Sequence, residues 1–493
     1  MSPRGRGLAL LGGAVALATA MTAYGATARP APPTPATPTT VPVAASVRVC
    51  PTTPPVTAPV SVTHLAAATL PRPLLPAPVS AGTAVLTPLS GSRKPLVALD
   101  APGAQGSVAS TAHAGVSVPS VLRAQGSLAP GAAVSQVRYV RTGPQRSLTG
   151  ELCPAPTGNA WFVGGSGATG RLTTLELDNP DATPAVADVL VYGEHGEVPA
   201  PAGRGVTVAP HGHTTLRVDI LAPGLARVAL HVMVRAGRLA MTVTDAQTAG
   251  LLPRGADVVP QTAGPARRLV IAGVPSGLRG SRSLEILAPG DQDALVRVQV
   301  ITRQGRFTPD ELAALDVPAH TLTQAQLISQ VGNGSAGLLI TSDVPVVAAV
   351  RNVLGAKGAA PDVTYSVASR ALSGPVLSPG MYSGRRWVSR LFLTAASTTG
   401  AVRVTLLRPD GTSRATTVSV TGGTSLELVL GGADQFAATV APVAGTGPVQ
   451  AAAWLEYDDP LGQVATQWPL VSSPLTDTLP PVSQDPAVGV PDG

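Results

Sequence analysis

The chain has 493 residues, enough for three to four domains at about 100–200 residues each. Hydrophobic residues make up 44 %, aromatics 3 % and charged residues 13 %, with 53 Gly and 50 Pro, so the cores are built from small and β-branched side chains and turns recur throughout. The net charge is +6, the positive charge is nearly all arginine, and no basic cluster carries interleaved aromatics; this argues against nucleic-acid binding and leaves only a weak attraction to anionic wall polymers or lipid headgroups.

Residues 1–28 open with Arg4 and Arg6, run uncharged from Gly7 to Ala28 and end on Ala26-Thr27-Ala28. That pattern predicts either a cleaved signal peptide or a retained transmembrane anchor, with the membrane as a partner through this segment. Residues 29–47 are a Pro/Thr/Ala spacer, expected to be extended.

Cys50 and Cys153 each precede a proline and come after a short β-like run. In an exported chain the pair is expected to form a disulfide across 103 positions. Spacing offers neither a metal set nor a Cys-x-x-Cys redox pair. Residues 48–157 then form one β module, with strand candidates at Val60–Val62, Thr83–Leu86, Pro95–Leu99, Val108–Val118 and Gln136–Arg141.

From residue 158 onward a strand–turn–strand unit occurs three times, turning at His195-Gly196, Gln304-Gly305 and Asp410-Gly411. A polar residue and then Gly between alternating apolar runs predicts a hairpin. A repeat of about 100 residues suits an immunoglobulin-like sandwich better than a propeller blade or solenoid unit. The expectation is all-β, with tandem sandwiches over 158–255, 256–375 and 376–471 and a disordered tail over 472–493. Thr308-Pro309-Asp310-Glu311 predicts one short helix running to about Leu315.

Candidate chemistry is sparse. Gly165-Ser166-Gly167-Ala168-Thr169-Gly170 matches a dinucleotide string, but a strand comes next where a helix is needed, so it is expected to be a turn. Ser166 lacks the context of a nucleophile elbow. His211 and His213 have ligand-like spacing, yet the same turn in the last repeat is Gly422-Gly423-Thr424; these residues and His195 are expected to be turn histidines. Trp161, Trp387 and Trp454 are expected to pack in sandwich cores. No catalytic, cofactor-binding or metal residues are assigned.

Leu152–Ser166, Leu177–Pro180, Arg204–Pro210, Gly250–Asp257, Pro265–Ile271 and Asp343–Ala349 together resemble an uncharacterised actinobacterial envelope family, domain of unknown function 5719. The resemblance covers about Cys153 to Val367. It implies an exported or membrane-anchored wall-side protein with a β body, and transfers no catalytic residue. The resulting expectation is a non-catalytic extracytoplasmic binding or scaffold protein for an envelope protein or wall glycan, without cofactor. The alternative is an exported wall-polymer hydrolase.

Overall fold

The computed structural model describes residue 19 and residues 38–53, 61–76, 81–92, 94–99, 106–113, 116–275, 280–327, 334–355, 360–431 and 434–480. Apart from Thr19, the expected signal or anchor segment lies outside them. Among the described residues no helix is long and apolar enough to cross a membrane.

Alternation of apolar and polar residues decides the secondary structure. Ala294–Ile301 (ALVRVQVI) buries Ala294, Val296, Val298 and Val300 and exposes Leu295 and Arg297, the period-two pattern of a strand with one face inward. The chain is all-β with multiple sheets, and among the described residues the one α-helical turn within the β body is α1 (Val218–Leu221).

Two compact units are present. The smaller comprises residues 1–41 and 476–493; here β1 (Thr39–Pro42) pairs with β35 (Thr476–Leu479). The expected spacer and the expected disordered tail therefore each contribute a strand. Backbone pairing outweighs the local proline content, because the prolines lie at or beyond the strand ends.

The larger unit, residues 42–475, contains four sheet pairs. The first pair holds β2 (Ala45–Cys50), β3 (Ser61–Thr69), β4 (Gly82–Pro88), β5 (Val97–Leu99), β6 (Ser107–His113), β7 (Ser120–Gly126), β8 (Ala133–Val140) and β9 (Ser147–Leu152). Its sheets run β2-β7-β4-β5 and β6-β3-β8-β9.

The second pair holds β10 (Asn159–Val163), β11 (Arg171–Asp178), β12 (Ala185–Gly193), β13 (Gly196–Val198), β14 (Val206–Val208), β15 (His213–Arg217), β16 (Ala229–Ala236), β17 (Ala240–Ala249) and β18 (Leu252–Val259). Its sheets run β10-β16-β12-β13, with β14 also on β12, and β15-β11-β17-β18. β18 continues four residues past the expected break at 255.

The third pair holds β19 (Ala266–Val274), β20 (Arg282–Leu287), β21 (Ala294–Ile301), β22 (Arg306–Phe307), β23 (Leu315–Val317), β24 (Leu322–Gln326), β25 (Ala336–Leu354) and β26 (Asp362–Val367). β25, 19 residues long, serves both sheets: its first half pairs with β19 and β21, its second with β20 and β26. The fourth pair holds β27 (Val376–Tyr382), β28 (Trp387–Ala395), β29 (Gly400–Leu407), β30 (Ser413–Val420), β31 (Thr424–Leu430), β32 (Gln435–Pro442), β33 (Gln450–Tyr457) and β34 (Val464–Leu470), ordered β27-β32-β29-β30 and β31-β28-β33-β34.

With the short strands β14 and β23 set aside and β25 counted as both sixth and seventh, one order repeats four times: first-sixth-third-fourth in one sheet, fifth-second-seventh-eighth in the other. The amino-terminal region therefore shares the strand order of the other three pairs. Its third–fourth hairpin turns at Gly91, and Gly91, Gly196, Gly305 and Gly411 all have positive φ, at intervals of 105, 109 and 106 residues. The expected strand Val108–Val118 is in fact β6, succeeded after Pro119 by β7 in the opposite sheet.

The eighth strand of each pair packs against that of the next, and β34 packs against β9, closing the series. Apolar seams lie between successive pairs: Val49 and Val121 against Ala240; Trp161 and Val163 against Leu287 and Val347; Ala272 and Leu354 against Phe392 and Trp454; Leu377 and Ala437 against Ala68 and Leu70. Trp161 and Trp454 thus fill seams between sandwiches instead of sandwich interiors, and Trp387 is half-buried among Tyr139, Tyr382 and Tyr457. The expected helix at Thr308 shrinks to a 3-10 turn, Asp310–Leu312, without a side-chain cap. Thr308 instead accepts a hydrogen bond from Gln299 Nε2 at 3.2 Å, and the chain must become extended by Leu315 to pair with β21.

Candidate functional site

The four eighth strands end at the same side of the closed unit. The segments just beyond them, Cys153-Pro154, Pro260–Gly264, Ala368–Arg370 and Val471–Pro474, line one cavity of about 610 Å³. The disulfide Cys50–Cys153, with a Cα–Cα distance of 4.7 Å, ties the end of β2 to the end of β9 beside this cavity. It closes the loop expected from the sequence, and its presence suits an oxidising compartment.

Several cavity groups are fixed by the inter-pair connections. Thr262 donates to Ala348 O and Ala368 O, both at 3.2 Å, and its amide donates to Trp161 O at 2.9 Å. Ser472 Oγ donates to Gly374 O at 2.6 Å. Trp161 stacks on His231 with ring centroids 3.7 Å apart, and burial pushes the His231 imidazole down to about 4, so this ring is neutral at pH 7.

Other groups are left unpaired. Glu151, at the end of β9, is buried; Thr242 Oγ1 donates to its Oε2 at 3.2 Å, while its Oε1 has no partner. Burial raises its carboxyl to about 8, helped by the nearby Glu176, so the acid form prevails at neutral pH. Ser369 Oγ is likewise buried without a partner. Arg48, half-buried, donates to Ser473 Oγ, and burial lowers its guanidinium from the usual range; no carboxylate pairs with it among the described residues. Arg370 lies exposed on the rim.

Around the axis below the cavity, buried carboxylates join neighbouring pairs. Asp362 accepts from Ala256 N at 3.3 Å and Ala465 N at 3.1 Å, and Thr466 Oγ1 donates to Asp257 Oδ1 at 2.7 Å. Burial raises Asp362 to about 8 and pushes Asp257 upward as well. Asp245 is different: Arg171 at 2.5 Å, with donors Tyr365 at 2.6 Å and Thr173 at 2.7 Å, outweighs burial and holds it below the usual range.

The histidines singled out in the sequence stay apart from the cavity. His211 adopts φ 50° in the turn before β15; the matching turns place His320 at φ 59° and Gly423 at φ 77°. The position requires a left-handed backbone, which explains why Gly replaces His in the last copy. His195 is exposed at the tip of the β12–β13 hairpin, and His213 lies on β15 opposite Asp178. Among the described residues no group of three or more His, Cys, Asp or Glu is placed to hold a metal. Ser166 is buried, donating to Leu225 O at 2.8 Å, and its loop leads into β11 where a nucleotide site needs a helix.

Arg48, Glu151 and Ser369 were not singled out by sequence reasoning. Their only sequence signal is a proline or small residue just after a strand, and nothing local shows that four such strand ends meet.

A family model described as a family of unknown function, DUF5719, matches residues 107–431. No curated protein matches the chain. Among solved structures, Thermotoga maritima 1070 is similar at 17 % identity over 21 % of this chain and 93 % of that one, with a TM-score of 0.19. A β-glucuronidase 2 of Bacteroides uniformis is similar at 10 % identity over 46 % of this chain and 26 % of its own, with a TM-score of 0.11. A tetra-tandem repeat from the extending region of a large adhesion protein is similar at 12 % identity over 82 % and 92 %, with a TM-score of 0.10. Scores this low bear on neither fold nor role.

Proposed function

The chain belongs to DUF5719, a family of unknown function, and we propose that it is a non-catalytic extracytoplasmic envelope protein that binds wall glycan. In this reading four immunoglobulin-like modules close around the cavity at their junction. The observation that supports it is the cavity itself: four separate connections converge on about 610 Å³, within the usual range for a small-ligand pocket. That volume suits a short saccharide unit better than a protein surface. The hydrolase alternative draws on the raised Glu151, but a wall hydrolase commonly needs two carboxylates flanking the bond, and Glu151 is the one carboxylate among the described lining residues.

Cosedimentation of the full chain with isolated cell-wall material tests the proposal. Retention without release of reducing sugar is expected, and Ala155→Trp, an exposed rim substitution that fills the cavity mouth, should reduce it. No retention, or retention indifferent to Ala155→Trp, would refute it. Release of reducing ends would favour the hydrolase.

A further inference from the structure

We infer that the junction cavity selects a saccharide carrying an oxyanion, either a carboxylate or a phosphate, and holds that group on Arg48. This rests on the binding reading above and specifies its ligand chemistry.

Among the described residues two guanidinium groups line the cavity, Arg48 on the wall and Arg370 on the rim. Several buried or half-buried arginines elsewhere have carboxylate partners: Arg146 with Asp459, Arg171 with Asp245, Arg227 with Glu194, Arg390 with Glu427 and Glu456. Arg48, like Arg123 on Pro180 O and Arg351 on Gln247, has a neutral partner instead, the hydroxyl of Ser473, and of these three it is the one that lines the cavity. A partly desolvated cation without a counter-charge is costly, and a bound anion offsets that cost. The cavity's own carboxyl does not supply the charge, because Glu151 is held in its acid form. Arg48 and Arg370 are then the charged groups among the described lining residues.

The guanidinium fork matches carboxylate and phosphate oxygens alike. Trp161 and the prolines Pro154, Pro260 and Pro375 add apolar surface to the cavity lining. A bare inorganic anion would leave most of this volume unfilled.

Isothermal titration of the full chain with glucuronate, glucose 6-phosphate and glucose separates the possibilities. Both acids, or one of them, should bind at least about tenfold more tightly than glucose, and the preferred acid identifies carboxylate or phosphate. Arg48→Gln should weaken the acids by about tenfold or more while leaving the thermal midpoint within a few degrees; Arg48→Lys should recover part of the loss, and Arg370→Gln should cost less. Raising salt should weaken binding of the acids and leave glucose unchanged. Equal binding of glucose and both acids, or acid binding unaffected by Arg48→Gln, overturns the inference. If neither acid binds while wall material is still retained in a manner sensitive to Ala155→Trp, the charge selection fails and the binding reading survives. If retention is lost too, both fail.

Discussion

Arg146 carries a buried ion pair across the closure between the first and fourth sheet pairs, beside the packing of β34 on β9. Its guanidinium, 1 % exposed, reaches Asp459 at 3.1 Å, and the Asp459 side chain is 5 % exposed. The two residues are 313 positions apart. Arg146 also donates to Gly462 O, Tyr139 donates to Asp459, and Leu461 N donates to Asp459 Oδ1 at 2.8 Å. Removing one member of a buried pair typically costs about 3–5 kcal/mol, because the other charge is left uncompensated. Arg146→Ala and Asp459→Ala should each fall in that range. Arg146 Nε and Nη1 have no partner, so the pair is imperfectly satisfied and its net worth is small. Arg146→Met, which replaces the charge by apolar volume, should therefore cost less than Arg146→Ala.

Urea unfolding monitored by tryptophan fluorescence measures these differences, with Trp387 near the closure as reporter: the Tyr139 ring lies 6.3 Å from it and 4.8 Å from Tyr457. A double-mutant cycle should return a coupling of about 2 kcal/mol or more. The closed arrangement also predicts one cooperative transition for the native chain and separate transitions once the closure is broken. If Arg146→Ala costs less than about 1 kcal/mol and shows no coupling to Asp459→Ala, this ion pair does not help hold the first and fourth pairs together.

Three further perturbations test other parts of the structure. Glu151, Glu285 and Asp362 are raised by burial to about 8, 7 and 8, so each binds a proton on folding at pH values between its unfolded and folded pKa; stability should fall by several kcal/mol in total, as an order of magnitude, from about pH 5 to pH 8. Below about pH 4 the lowered carboxyls of Asp245 and Asp459 reverse the trend, and a urea midpoint that is flat between about pH 5 and 8 would contradict the assignment. Gly255, at φ 102°, would carry a Cβ 2.5 Å from Val363 N; Gly255→Ala should destabilise the fold by about 3 kcal/mol or more, read as a sharp drop in thermal midpoint, and tolerance of alanine would mean that β18 and β26 are not in contact at the axis. Reduction of Cys50–Cys153, which spans 103 positions, should cost about 2–5 kcal/mol, read as a drop in urea midpoint on adding reductant that Cys50→Ala abolishes.

The third and fourth strands and their hairpin turn are legible wherever a polar-Gly pair sits between alternating apolar runs, because the turn needs a positive φ that few residues other than Gly adopt. Near Gly91 the neighbours are serines, and Pro88 and Pro95 lie at the strand ends on either side, so the same unit reads as a loose β region. The tail is illegible for a different reason. Thr476–Leu479 is short and solvent-exposed, and its partner Thr39–Pro42 lies more than 430 positions earlier, so no local pattern records the pairing. Composition favours extended backbone in such a stretch but does not say what it pairs with.

The junction is the least legible part, and the reason is physical. In a ring of four identical chains every axial residue meets copies of itself, so a buried ionisable group would be repeated fourfold at the axis. In a single chain that constraint is absent. The eighth strands now carry Gly150-Glu151, Ala256-Asp257, Asp362 and Thr466-Gln467, and Asp362 and Asp257 take their hydrogen bonds from other pairs. The same freedom lets Arg48 stand alone on one wall of the cavity. Repeat detection works on positions that remain alike, the turn glycines and the apolar alternation. The proposed binding site lies among positions that differ between the pairs, so the residues most useful for reading the fold are the least informative about its proposed ligand.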